Sequence, residues 1–141
     1  MIDIENMVID KVYKAVIAQY PTANVTSEFT DTPSKFPCVA IYEGDNSTYT
    51  KSQDNELREH HAFVMYEVQV FSNKTSGRKS EAKKILKIVD DTLQDIKFTR
   101  TFMNPIPNQD KSIYRYIARY EAVVGQGIAK GNDTIYPMYR R

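Results

Sequence analysis

From residue 4 to residue 19 apolar side chains recur every three or four positions. Ile4, Met7, Val8, Val12, Ala15 and Val16 form the series, with Asp10, Lys11, Lys14 and Gln19 between them. That period is helical and predicts an amphipathic helix with one apolar stripe. Asp3 is placed to cap its start, and Pro21 ends it, because the residue before a proline avoids helical backbone angles. The period then changes. Asn24–Thr30 is β-branched and half polar, whereas Phe36–Tyr42 is nearly continuous in apolar residues, as suits a strand buried on both faces. Residues 43–59 are polar apart from Tyr49 and Leu57. Compact domains rarely carry a loop of that length without a functional reason.

A strict two-residue alternation follows. Between His60 and Phe71, Ala62, Val64, Tyr66, Val68 and Val70 share one face, and Phe63, Met65, Glu67, Gln69 and Phe71 share the other. A polar turn at 72–77 leads to a second helical stripe over 78–96, made of Ala82, Ile85, Leu86, Val89, Leu93 and Ile96. Phe98–Met103 alternates again before Asn104-Pro-Ile-Pro-Asn108 interrupts the pattern. In the last alternating run, 112–124, Tyr114, Tyr116, Ala118, Tyr120, Ala122 and Val124 face one way. Ile113, Arg115, Ile117, Arg119, Glu121 and Val123 face the other.

The predicted order is therefore α-β-β-β-α-β-β. Strands in runs broken by single helices argue for an α+β domain rather than a β-α-β one. We expect a mainly antiparallel sheet of four to five strands with both helices packed on one face. Residues 1–124 would form this single domain, with the polar loop 43–59 inserted, and 125–141 a C-terminal extension. The uncovered face mixes Phe63, Met65, Phe71, Ile113 and Ile117 with charged residues, too apolar to be solvated throughout. Another chain is expected to cover part of it.

Composition sharpens this picture. The chain has 141 residues, enough for one well-cored domain that buries roughly 68% of its unfolded surface without disulfides. Formal net charge is +1, so no large excess argues for nucleic acid or anionic lipid. The single cysteine, Cys38, excludes an internal disulfide and a cysteine-based metal cage. Mean hydropathy is −0.53 and no apolar run approaches the length of a membrane span, while the acidic start is unlike a secretory leader.

Candidate chemistry is thin. His60 and His61 are neighbours on a strand and point to opposite faces, so they cannot bind one metal together. Cys38 sits in an apolar run with no cation beside it, the setting of a structural thiol. Glu81-Ala-Lys83 has an acidic-x-Lys spacing used by metal nucleases, but on a lysine-rich helix rather than a strand. Asp90 and Asp91 diverge around a helix, and Gly125-Gln-Gly127 lacks the third glycine of a phosphate cradle. No catalytic, metal or cofactor site is expected. Lys74, Arg78, Lys79, Lys83, Lys84 and Lys87, with Arg100, Arg115 and Arg119, could touch phosphate backbone, although a solvated lysine-rich helix accounts for most of them.

The informative residues are those suited to contacts: Phe63, Arg115, Ile117 and Arg119 on the uncovered face, Tyr49 and Leu57 in the loop, Tyr136 and Tyr139 in the tail. Tyr and Arg combine contact area with a polar handle and are enriched at interfaces. The stretch Tyr66-Glu-Val-Gln-Val-Phe-Ser-Asn73, the turn Gly77/Arg78/Glu81, the helix with Ile85, Val89, Asp90 and Leu93, then Phe98-Thr-Arg-Thr-Phe-Met103, Pro105-Ile-Pro107 and Ile113-Tyr-Arg115 to Arg119-Tyr-Glu-Ala-Val123 together resemble a known family. It is that of the small tail-terminator proteins of long-tailed bacteriophages of Gram-positive hosts, also called tail-completion or minor capsid proteins. The resemblance covers most of residues 1–124 and neither the loop nor the tail.

What the resemblance implies is a virion structural protein, made in the host cytoplasm, that forms a ring, commonly a hexamer, at the head-proximal end of the tail tube. It would end tube polymerisation and join the tail to the head. Its partners would be its own copies, the tail tube protein and a head-closure or connector protein, with DNA passing through the lumen unread. A connector or head-closure neck protein, a nucleic-acid-binding accessory protein and a small metal nuclease are the competing readings.

Overall fold

The computed structural model describes residues 2–30, 33–48, 61–125 and 134–136, with the backbone alone for Thr48 and for 134–136. Tyr49, Leu57, His60 and Tyr139, and the side chain of Tyr136, lie outside that description. The elements run α1 (Glu5–Gln19), β1 (Asn24–Thr26), β2 (Cys38–Thr48), β3 (His61–Ser72), α2 (Arg78–Asp95), β4 (Thr99–Ile106), β5 (Tyr114–Gly125) and β6 (Thr134–Tyr136).

The class is α+β, with two helices and one sheet ordered β1-β2-β3-β5-β4, β6 pairing with β5. The sheet is mixed: β1 and β2 run parallel, and every other pair is antiparallel. Three expectations are corrected. The order has a further strand, β6, inside the segment assigned to a C-terminal extension, and β5 itself runs on to Gly125. The polar run 43–59 is not a loop from its start, because Glu43–Thr48 continues β2 and pairs with Ala62–Tyr66. A polar strand is stable there because its ladder is satisfied by β3, and Asn46 adds a hydrogen bond from Nδ2 to the Ile2 carbonyl (2.7 Å). β4 likewise outlasts the expected break, Asn104 and Pro105 pairing with Ile117 and Tyr116. An edge strand tolerates proline because its outer side makes no ladder bond.

The alternation dictates the layers. Val64, Tyr66, Val68 and Val70 of β3 lie opposite Ala122, Tyr120, Ala118 and Tyr116 of β5. These join Val39 and Ile41 of β2 in one cluster with Val8, Val12 and Val16 of α1 and Ala82, Ile85, Leu86, Val89 and Leu93 of α2. Both helices therefore cover the same face, as the stripes predict. Each fully buried Val, Leu or Ile stabilises this layer by roughly 1.5–3 kcal/mol relative to exposure.

Local signals set the helix ends. Asp3 does not occupy the cap position, which is Ile4, but its Oδ1 accepts the Glu5 N–H at 3.0 Å. Helix α2 begins after Gly77, held at φ 78°, and closes on two reversed bonds, Phe98 N–H to Leu93 O and Lys97 N–H to Gln94 O, both 2.9 Å. That is a Schellman closure. It aims the buried Phe98 ring edge-on at Tyr66, centroids 5.5 Å apart, and so launches β4.

Candidate interaction surface

With the helices on one side, the opposite face of the sheet carries Tyr42 of β2, Phe63, Glu67, Gln69 and Phe71 of β3, Arg115, Ile117 and Arg119 of β5, and Phe102 of β4. Four of the expected contact residues, Phe63, Arg115, Ile117 and Arg119, thus share one surface. They are not equivalent. Arg119 is exposed, Phe63 and Arg115 are half-buried, and Ile117 is only 5% exposed. Ile117 therefore packs within this face, while Arg119 is the side chain that reaches solvent.

The arginines are held in place. Arg119 Nε donates to Glu67 Oε1 at 3.1 Å, and its guanidinium lies 5.4 Å from the centre of the Phe102 ring. Arg115 Nε donates to Gln69 Oε1 at 2.8 Å, and its guanidinium lies 5.3 Å from the centre of the Phe71 ring. Gln69 is buried and in turn donates from Nε2 to the Tyr42 hydroxyl at 3.0 Å. That hydroxyl donates to Glu67 Oε2, and the Tyr42 ring meets Phe29 edge-on, centroids 6.0 Å apart.

One row consequently crosses the whole sheet: Phe29, Tyr42, Glu67, Arg119, Phe102. Each member touches the next, and the register places Tyr42 opposite Glu67, Glu67 opposite Arg119 and Arg119 opposite Phe102. The two ends are exposed aromatics, Phe29 at 61% and Phe102 at 37%. Glu67, Gln69, Tyr42, Phe29 and Phe102 were not singled out from the sequence. The alternation signalled Glu67 and Gln69, which share a face with Phe63; nothing local signalled Phe29 or Phe102.

The row beneath, on the helix side, joins Glu43, Tyr66, Tyr120 and Arg100. At one end the Tyr66 hydroxyl and Asn46 Nδ2 donate to Glu43 Oε1 at 3.1 and 3.3 Å. Burial, with Glu5 and Asp3 nearby, still raises the Glu43 carboxyl above its usual range. At the other end Asp90 accepts from the Tyr120 hydroxyl (2.7 Å), Gln94 Nε2 (2.6 Å) and Arg100 (3.0 Å). Burial foremost, then the Glu43 and Asp90 carboxylates, keep Tyr66 and Tyr120 protonated well beyond the ordinary tyrosine range.

The remaining candidates resolve into packing. Cys38 is buried, its thiol pushed up to about 11 by desolvation and opposed only by the Asn24 amide 3.8 Å away. Glu81 accepts the Ser72 hydroxyl at 2.8 Å and ties α2 to the end of β3. The basic residues do not make one patch. Arg100 joins Lys83, Lys84 and Lys87 along a groove of about 400 Å³ between α2 and β4, while Arg115 and Arg119 lie on the opposite face. Among the described residues no group of His, Cys, Asp and Glu is gathered to hold a metal ion, and no helix is long and apolar enough to cross a membrane.

These features define an α+β domain with one face closed by helices and the other laced by aromatic, arginine and carboxylate side chains. No family model and no curated protein sequence matches the chain.

Proposed function

We propose that this protein is a structural component of a bacteriophage virion, a tail terminator that assembles into a ring on the head-proximal end of the tail tube. In that role it stops tube polymerisation and presents a docking surface to the head. The observation that carries the reading is the surface row ending in exposed Phe29 and Phe102. A domain that works by contact needs two different adhesive rims to build a closed ring, because head-to-tail packing never uses one patch against itself. Support also comes from the element order and from the sequence motifs over 66–124 described above. Contacts to the tube protein and the head-closure protein would be shared between the uncovered face and the segments 49–60 and 126–141.

The test is tail length in phage-producing cells. Without a terminator, tubes overgrow, and supplying this chain restores their length. Filled heads that leak DNA beside tubes of normal length would assign it instead to head closure, and an unchanged virion would end both readings.

A further inference from the structure

The groove between α2 and β4 lies on the helix side of the sheet, away from the surface row. Two local features build it. On α2, Ser80, Lys83, Lys87 and Asp90 recur at helical spacing and form one ridge along the groove, with Leu86 beside it. On β4, a bulge between Arg100 and Phe102 adds one residue to the strand. In a regular strand, residues 100 and 103 would point to opposite faces. The bulge instead sets Arg100 opposite Tyr120 and Met103 opposite Ala118, so both stand on the helix side.

The walls combine two properties. They are largely hydrocarbon: Leu86 is buried, Met103 is half-buried, and the lysines add their methylene stems. They are also cationic. Lys83, Lys84, Lys87 and Arg100 stand against one carboxylate, Asp90, in a chain whose formal net charge is only +1. Asp90 is engaged by Tyr120, Gln94 and Arg100, and the three exposed lysines carry the charge of the groove.

We propose that this groove binds an acidic peptide segment of another protein, with one bulky apolar side chain seated on Leu86 and Met103 and the flanking carboxylates paired with Lys83, Lys84 and Lys87. Charge complementarity sets the sign of the partner, and the hydrocarbon walls set its kind. A nucleic-acid backbone would use the cations but presents only phosphate and sugar to the apolar walls. None of the residues lining the groove is an aromatic ring on which a base could stack. The groove is open rather than enclosed, so a peptide chain can cross it while one side chain enters. The site uses no residue of the surface row and stands or falls independently of tail termination.

Full-length protein should be titrated with a fluorescein-labelled peptide of glutamates around one central leucine, read by fluorescence anisotropy. Binding should weaken as salt rises, and the Met103 methyl and the Lys83 and Lys87 amides should shift in NMR spectra. Lys83→Glu and Lys87→Glu change exposed residues of α2 and should keep the fold by circular dichroism. Each should weaken the peptide about five- to tenfold, because an exposed ion pair is replaced by a like-charge contact. Lys79→Glu, on the same helix but outside the groove, should weaken it far less. Exchanging the peptide's leucine for serine should cost about tenfold, a loss that a contact made by charge alone would not show. No binding by the wild type, equal binding of the serine peptide, or unchanged binding in both groove variants would each overturn the proposal. Duplex DNA that binds more tightly than the peptide, and is lost in the same two variants, would overturn it in favour of nucleic acid.

Discussion

At the scale of single residues, the most informative groups are carboxylates held away from water. Glu43 is more easily protonated in the folded chain than in the unfolded one, because burial outweighs its hydrogen bonds from Tyr66 and Asn46. The folded state therefore binds the extra proton, and stability declines as pH rises from the unfolded carboxyl value of 4.5 through the raised folded one. Glu43→Gln keeps an acceptor for Tyr66 and removes the charge. It should raise the melting temperature at neutral pH, leave it nearly unchanged near pH 4, and flatten the profile between. Asp90 is held by three donors, the Tyr120 hydroxyl, Gln94 and Arg100. Asp90→Ala strips the buried Tyr120 hydroxyl of its acceptor and should cost about 1–3 kcal/mol in urea titrations. Its position was legible in advance: residue 90 is four past Leu86 and so falls on the apolar stripe of α2, although as an aspartate it reads as surface. Phe29 was not legible, because its role depends on Tyr42 across a turn that no periodicity encodes.

Among the elements, those with strong periods matched their expected spans closely. α1, β3, α2 and β5 each bury one complete face, and burial enforces phase, since a one-residue slip in a strand turns every apolar side chain outward. The weakly patterned pieces moved. Glu43–Thr48 is polar because its strand lies at a margin, so its hydropathy resembles a loop while it stays paired with β3 on both sides of a bulge at Gly44. β6 is too short for a period to show, and only its pairing with Val123–Gly125 identifies it. The α2–β4 connection contains a local cost. Lys97 holds φ at 74° in the Schellman position that glycine fills without strain. Lys97→Gly should therefore stabilise the chain by roughly 1 kcal/mol, read as a higher denaturation midpoint with unchanged slope. A fall in the midpoint would mean that the lysine side chain contributes more than its backbone costs.

For the molecule as a whole, one cluster contains residues of both helices and of β2, β3 and β5. None of these five elements can leave without opening that cluster, so unfolding should be two-state, with far- and near-ultraviolet circular dichroism tracing the same thermal curve. Separated curves would show that a margin melts ahead of the core. What the sequence conveyed at this scale was the division into a helix-covered side and a bare one. It could not convey that the bare side satisfies much of its own polarity through Glu67, Gln69, Arg115 and Arg119. Those partners are 46 and 52 positions apart along the chain and meet only through register.

The middle of that bare side has a consequence for how the protein can change over generations. Among the described residues Glu67 is the side chain bonded both to the tyrosine that supports Phe29 and to the arginine that lies over Phe102. Its replacement would disturb both outlying phenylalanines at once. A lineage that retunes its grip on a neighbour thus has to revise both hands together, and homologous chains lacking this glutamate should differ at position 29 and position 102 in step.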